Sequence, residues 1–240
     1  WGYDDLLLHE TAHEWWGNSV TANDIGDLWL HEGFATYSEL LYTEFKRGSQ
    51  SYLANMKYML NNPGGKVMSN KVPIVKKYGV RYSPLIAKRD DDIYNKGCAT
   101  LHSLRWVIKD DSLFFKVLKT FYNENKKSQV TTAGFISHVN RVTGKNYDWF
   151  FKQYVFDYRV PELNYYFTAT TGAEPKQTLH YYWKNTEADF KAPISILVKG
   201  KPQDIYPTPK MQEISFVTAE PIGFDTLDIY YTWKLIDRKK

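Results

Sequence analysis

Arg159-Val160-Pro161 divides the chain into two textures, and this division limits the possible fold more than any other feature. Before it, apolar residues recur at the three-to-four-residue spacing of helices; after it, they alternate with polar ones, as in half-buried strands. Candidate helices run from Leu6 to His13, Leu30 to Lys46, Tyr52 to Leu60, Ile93 to Lys109, Ser112 to Asn123, Thr132 to Val142 and Tyr147 to Tyr158. Asp4 or Asp5, Ser51, Ser112, Thr131 or Thr132, and Asn146 are the expected caps. Gly17-Asn18 is the expected stop of the first helix. Residues 63–92 read as a long irregular crossover, a length that in a compact domain usually accompanies function. Beyond the division, the stretches 163–168, 179–183, 194–198, 214–217 and 227–233 have the period of two expected of an antiparallel sheet, folded as a small sandwich. The expected class is therefore α+β: a mostly helical domain over residues 1–160, then an antiparallel β-sandwich-like domain over residues 161–240.

Charge and composition exclude several roles. The 31 Lys and Arg against 27 Asp and Glu leave a net charge of only +4. The basic residues are scattered rather than massed, so a nucleic-acid partner has little support. No apolar run approaches the ~20 residues that span a bilayer. A single cysteine, Cys98, rules out an intramolecular disulfide and a cysteine-based metal site, and suits either redox compartment. The chain opens at Trp1-Gly2-Tyr3, without an initiator methionine or a leader, so it is expected to be part of a longer polypeptide. The compartment, cytoplasmic or periplasmic and secreted, is left open.

The chemistry-bearing segment is His9-Glu10-Thr11-Ala12-His13. Residues four apart share a helix face, so both imidazoles can address one ion. Glu10 is offset by one residue, near the ion without having to bind it, where it can take a proton from an activated water. The alternative is an amphipathic helix with two solvated histidines. Against it, Leu6, Leu7, Leu8, Ala12, Trp15 and Trp16 surround the pair and imply enclosure. Two imidazoles leave a hydrolytic zinc one protein ligand short. Glu32, 19 positions after His13, supplies it from the next helix, and Gly33 beside it lets two backbones approach. Two histidines, one glutamate and an open position make a catalytic rather than a closed structural zinc site, with one Zn²⁺ per chain.

His9-Glu10-x-x-His13 followed after 18 residues by Glu32-Gly33-Phe34-Ala35, together with Trp16-Gly17-Asn18, Leu28-Trp29-Leu30 and Tyr37-Ser38-Glu39, resembles the aminopeptidase N family of gluzincin zinc peptidases, in a bacterial-looking form. The resemblance implies a thermolysin-like helical subdomain, peptide substrates and removal of N-terminal residues. It also implies a catalytic tyrosine in a Tyr-x-Lys-Gly segment, matched by Tyr94-Asn95-Lys96-Gly97. A phenol there would hydrogen-bond the oxyanion of the tetrahedral intermediate. The family's Gly-Ala-Met-Glu-Asn segment, which recognises the substrate amine, lies upstream of the zinc motif and has no counterpart in these residues. The expectation is a piece lacking the N-terminal domains of the same polypeptide, and poorly active alone. Alternative readings are an endopeptidase or other hydrolase on the same zinc site, and a non-catalytic module stabilised by zinc.

Lesser candidates remain. Glu39 lies seven residues after Glu32 and can orient a ligand's second ring nitrogen, or be an ordinary helix carboxylate; Thr36 is a weaker rival. His31 stands where the family usually has Asn and is expected to point away from the metal. His102, His138 and His180 read as structural or surface residues, Asp90-Asp91-Asp92 as a solvated loop, and Cys98 as a packed thiol.

Overall fold

The computed structural model describes residues 4–61, 72–75, 93–224 and 234–239. The strand expected at 227–233, the acidic run Asp90-Asp91-Asp92 and most of the crossover at 63–92 lie outside the described residues. The chain divides into two compact units, Trp1–Tyr158 and Arg159–Lys240.

In the first unit, α1 (Asp5–Ala12) begins where the Asp4 carboxylate accepts the Leu7 N–H at 3.1 Å. It ends sooner than Gly17 implies, because residues 13–16 turn back to let Gly17, at φ +140°, carry the chain into β1 (Val20–Ala22). A short 3₁₀ turn (Ile25–Asp27) leads into α2 (Trp29–Arg47). Gly48, at φ +82°, ends α2 and leads directly into α3 (Ser49–Asn61). Ser51 is therefore inside a helix rather than capping one, and its hydroxyl donates back to the Arg47 carbonyl. Then follow α4 (Asn95–Ile108), α5 (Asp111–Asn125), β2 (Ser128–Val130), α6 (Thr132–Thr143) and α7 (Asp148–Tyr154). Asp110 rather than Ser112 caps α5, accepting from Leu113 N–H at 2.9 Å, whereas Thr131 caps α6 as expected.

Aromatic residues fill this unit. Phe135 packs against Phe121 at 4.9 Å, Phe34 at 5.2 Å, Phe151 at 5.8 Å and Trp29 at 5.9 Å between ring centroids, joining α2, α5, α6 and α7. A polar clamp fixes the start of α2. Buried Asp27 accepts the Thr132 hydroxyl at 2.6 Å, and the same hydroxyl accepts Trp29 Nε1–H at 2.8 Å. β1 and β2 pair in parallel, Val20 opposite Ser128. These two strands were not anticipated, since three residues are too few to show a period.

The second unit holds two sheets. β3 (Glu162–Thr170) and β4 (Lys176–Lys184) pair antiparallel along their whole length, flanked by β7 (Gln212–Val217) and β9 (Lys234–Asp237) in the order β7-β4-β3-β9. The smaller sheet is β6 (Lys201–Ile205), β5 (Ile194–Val198) and β8 (Gly223–Phe224). Leu163, Leu179, Ile194 and Ile196 are fully buried, and Trp183 meets Phe190 at 5.3 Å. The pairing is antiparallel except between β3 and β9. The mixed helical and antiparallel character is that expected of the α+β class. Among the described residues, no helix is long and apolar enough to cross a membrane.

Candidate metal centre

Helix geometry brings His9 and His13 onto one face of α1, with Nε2 atoms 3.1 Å apart. Antiparallel to it, the first turn of α2 contributes Glu32, whose Oε2 lies 3.2 Å from His9 Nε2 and 3.3 Å from His13 Nε2. Among the described residues, this is the one group of three His, Cys, Asp or Glu side chains whose ligand atoms converge this closely. All three are largely enclosed, with side chains 14%, 20% and 19% exposed.

The outer nitrogens settle what the inner ones present. His13 Nδ1–H donates to the Trp16 carbonyl at 2.9 Å, since a carbonyl can only accept. His9 Nδ1–H donates to Glu39 Oε1 at 2.7 Å. With both outer positions protonated, each neutral ring turns a lone pair toward the other and toward a carboxylate oxygen. Three acceptors so close repel unless a positive charge lies among them, so this donor set fits a divalent cation. Without one, a proton serves: His9 is pushed up to about 9, first by its hydrogen bond to Glu32, then by that to Glu39, against the effect of burial. Burial alone would raise Glu32, but its hydrogen bond to His9 and the charges of His13 and His9 hold it below the usual carboxylate range.

The three open onto a cleft of about 580 Å³, also lined by Asp5, Leu6, Glu10, Glu39 and Tyr94. Glu10 belongs to this wall without joining the convergent trio. Tyr94, at the start of α4, lies nearly parallel to the His9 ring at 5.9 Å between centroids. All five residues singled out from the sequence therefore border one space. Asp5 was missed as a lining residue, although it lies four residues before His9 and so shares its helix face; Leu6, expected beside the pair, lines the cleft as well. The Trp16 carbonyl had no sequence signal, because a main-chain acceptor can belong to any residue type.

Enclosure is less complete than the apolar neighbours imply. Ala12 is buried, but Leu6, Leu7 and Trp15 are 68%, 63% and 47% exposed. His31 turns away from the trio and accepts the Ala22 N–H at 2.6 Å, tying α2 to β1, and burial lowers its pKa. The other histidines have structural partners. His102 bonds the Tyr52 hydroxyl at 2.6 Å, His138 donates to the Val117 carbonyl at 3.0 Å, and His180 stacks on Tyr166 at 4.3 Å. Cys98 is fully buried, and burial pushes its thiol well up.

The profile of the peptidase family M1 domain matches residues 3–154. A mouse protein, aminopeptidase B, is 24% identical over 212 residues, covering 78% of this chain and 31% of its own length. An aminopeptidase A from Legionella pneumophila, solved with aspartic acid, superposes with a TM-score of 0.67 over 89% of this chain and 24% of its own, at 19% identity. A zinc metallopeptidase of family M1 from Deinococcus radiodurans, solved as a variant bound to a Tyr-Ser-Ala substrate, superposes with a TM-score of 0.52 over 65% of this chain and 33% of its own, at 27% identity. This chain belongs to peptidase family M1, a family of metallopeptidases. It spans less than a third of the length of the aminopeptidase B it matches. Membership implies a metal.

Proposed function

We propose that residues 1–160 carry the hydrolytic centre of a zinc-dependent aminopeptidase, with His9, His13 and Glu32 as the metal ligands, Glu10 as general base and Tyr94 as oxyanion donor. The observation that carries this reading is the convergence of two imidazole lone pairs and one carboxylate oxygen at 3.1–3.3 Å. Ligand atoms of a tetrahedral zinc with bonds of about 2.0–2.1 Å stand about 3.3 Å apart. Such a zinc, when bound, would supply an acidified water and polarise the substrate carbonyl.

The chain's own residues account for the remaining steps. The Glu10 carboxylate, free of the ligand trio, accepts a proton from the attacking water and passes it to the leaving amine. The Tyr94 phenol donates to the carbonyl oxygen as it gains negative charge. The Tyr-Ser-Ala substrate of the Deinococcus protein and the aminopeptidase names of the relatives favour short peptides with a free N-terminus.

The test is hydrolysis of aminoacyl arylamides and N-acetylated counterparts by zinc-loaded protein, with Glu10→Gln as control. Release from free-amine substrates alone, abolished by Glu10→Gln, supports the aminopeptidase reading. Equal cleavage of acetylated substrates would instead indicate an endopeptidase, and no zinc uptake would refute the centre.

A further inference from the structure

We infer that Glu39 is a positioning residue of this centre: its carboxylate locks His9 with Nδ1 protonated and Nε2 aimed at the cation. The inference rests on the metal reading proposed above and adds a residue to it.

The need for such a residue follows from helix geometry. A histidine in mid-helix has no free carbonyl nearby, because each main-chain oxygen is taken by the N–H four residues on. The His9 carbonyl is itself used by His13 N–H at 3.3 Å. His13 is the capping residue at the end of α1, where the chain turns and brings the Trp16 carbonyl back within 2.9 Å of its ring. The two ligands are therefore oriented differently. His13 is set by its own chain, whereas His9 depends on a side chain from another element.

Glu39 meets that requirement. Seven residues after Glu32, it is two turns along the same face of α2, about 10 Å further along the axis. The pair brackets the His9 ring, Glu32 Oε2 at 3.2 Å from Nε2 and Glu39 Oε1 at 2.7 Å from Nδ1. The second distance is that of a charge-assisted hydrogen bond. The Glu39 side chain is only 19% exposed, so water competes weakly for it. The charges also balance, since one carboxylate beside the cation and one relayed through imidazole match a dication in a largely enclosed site.

The experiment compares wild type, Glu39→Gln and Glu39→Ala of the 240-residue chain. Zinc dissociation constants are measured by competition with a chelator, and the His9 Nδ1–H is followed by ¹⁵N-edited NMR in the metal-free protein. Glu39→Ala should weaken zinc binding about 10–100-fold and lose a downfield, slowly exchanging Nδ1–H resonance. Glu39→Gln keeps an acceptor oxygen, so it should retain the resonance and lose less affinity. In a His9→Ala background, Glu39→Ala should cost nothing further, which a merely structural carboxylate would not reproduce. Unchanged zinc affinity in Glu39→Ala, or no such resonance in wild type, overturns the inference. A wild type that shows the resonance yet binds no zinc upholds the orienting role and overturns the metal reading instead.

Discussion

Gly33 on α2 and Gly97 on α4 touch backbone to backbone: a Cβ built on either would lie 2.9 Å from the other's Cα. This is closer than carbon atoms approach without something shifting, and the obstruction is main chain rather than a flexible side-chain end. Glu32 precedes one glycine and Tyr94 is three residues before the other, so the crossing sets how far the phenol stands from the Glu32 carboxylate. Gly33→Ala should push the helices apart at a cost of about 1–3 kcal/mol. A displacement of about 1 Å at Tyr94 should lower kcat roughly 10²-fold. The check is a thermal melt beside a kinetic assay at equal zinc content. Unchanged values in both would show that the crossing does not govern the site.

Substitution should separate the proposed ligand and catalyst roles. Glu10→Gln should keep full zinc and lower kcat by about 10²–10⁴-fold, measured against wild type of the same length. Tyr94→Phe should also keep zinc and lose about 10²–10³-fold. Glu32→Ala should lose the metal itself, as read by metal analysis after gel filtration.

Zinc binding should depend on pH through His9. At neutral pH the metal-free site holds a proton there, because the folded ring titrates near 9 rather than 6.5. Zinc must displace it, so the apparent dissociation constant should fall about tenfold per pH unit between about 7 and 9 and level off above. Calorimetry in buffers of different ionisation enthalpy should count about one proton released by His9 at the lower end. An affinity that is flat across this range would contradict the proton-for-metal exchange.

His138 should make the fold acid-sensitive. Burial is the main cause lowering its pKa, and its neutral ring is already satisfied: Nε2–H donates to the Val117 carbonyl and Nδ1 accepts from Arg141 at 2.9 Å. A second ring proton would face that guanidinium, although Glu124 at 3.4 Å offsets part of the repulsion. The unfolded chain binds the proton more readily, so stability is lost as pH falls below about 6.5. Urea midpoints at pH 7.5 and pH 5 should fall further for wild type than for His138→Gln, which keeps a donor without the titration.

The legible parts of this chain were those with a local rule. Histidines four apart on a helix must share a face, and Glu39 at seven from Glu32 must share another. The helix starts at Asp4 and Thr131 follow from oxygen-bearing caps. Ser112 was the cap expected for α5, but Asp110, two residues earlier, takes the Leu113 N–H, and only the structure showed which oxygen was within reach. Contacts between distant residues stayed hidden for another reason. The pairing of Val20 with Ser128 and the clamp of Asp27 on Thr132 depend on how whole helices pack, and three-residue strands leave no periodic trace. Lys201-Pro202-Gln203-Asp204-Ile205 also escaped notice, since proline is accepted in a strand at a sheet edge, where β6 lies.

The same clamp has a consequence for the order in which the protein is made. The three donors lie within residues 9–32, so a growing chain presents them all about a hundred residues before Thr132. The parallel strand pair and the Asp27–Thr132 bond join segments more than a hundred residues apart, and neither can close until residue 132 has left the ribosome. For that interval the chain has its three donors, but the clamp that fixes the start of α2 beside them has not formed. An ion captured then would meet side chains that still move freely, and selection by a rigid cavity would begin only once the last helices dock.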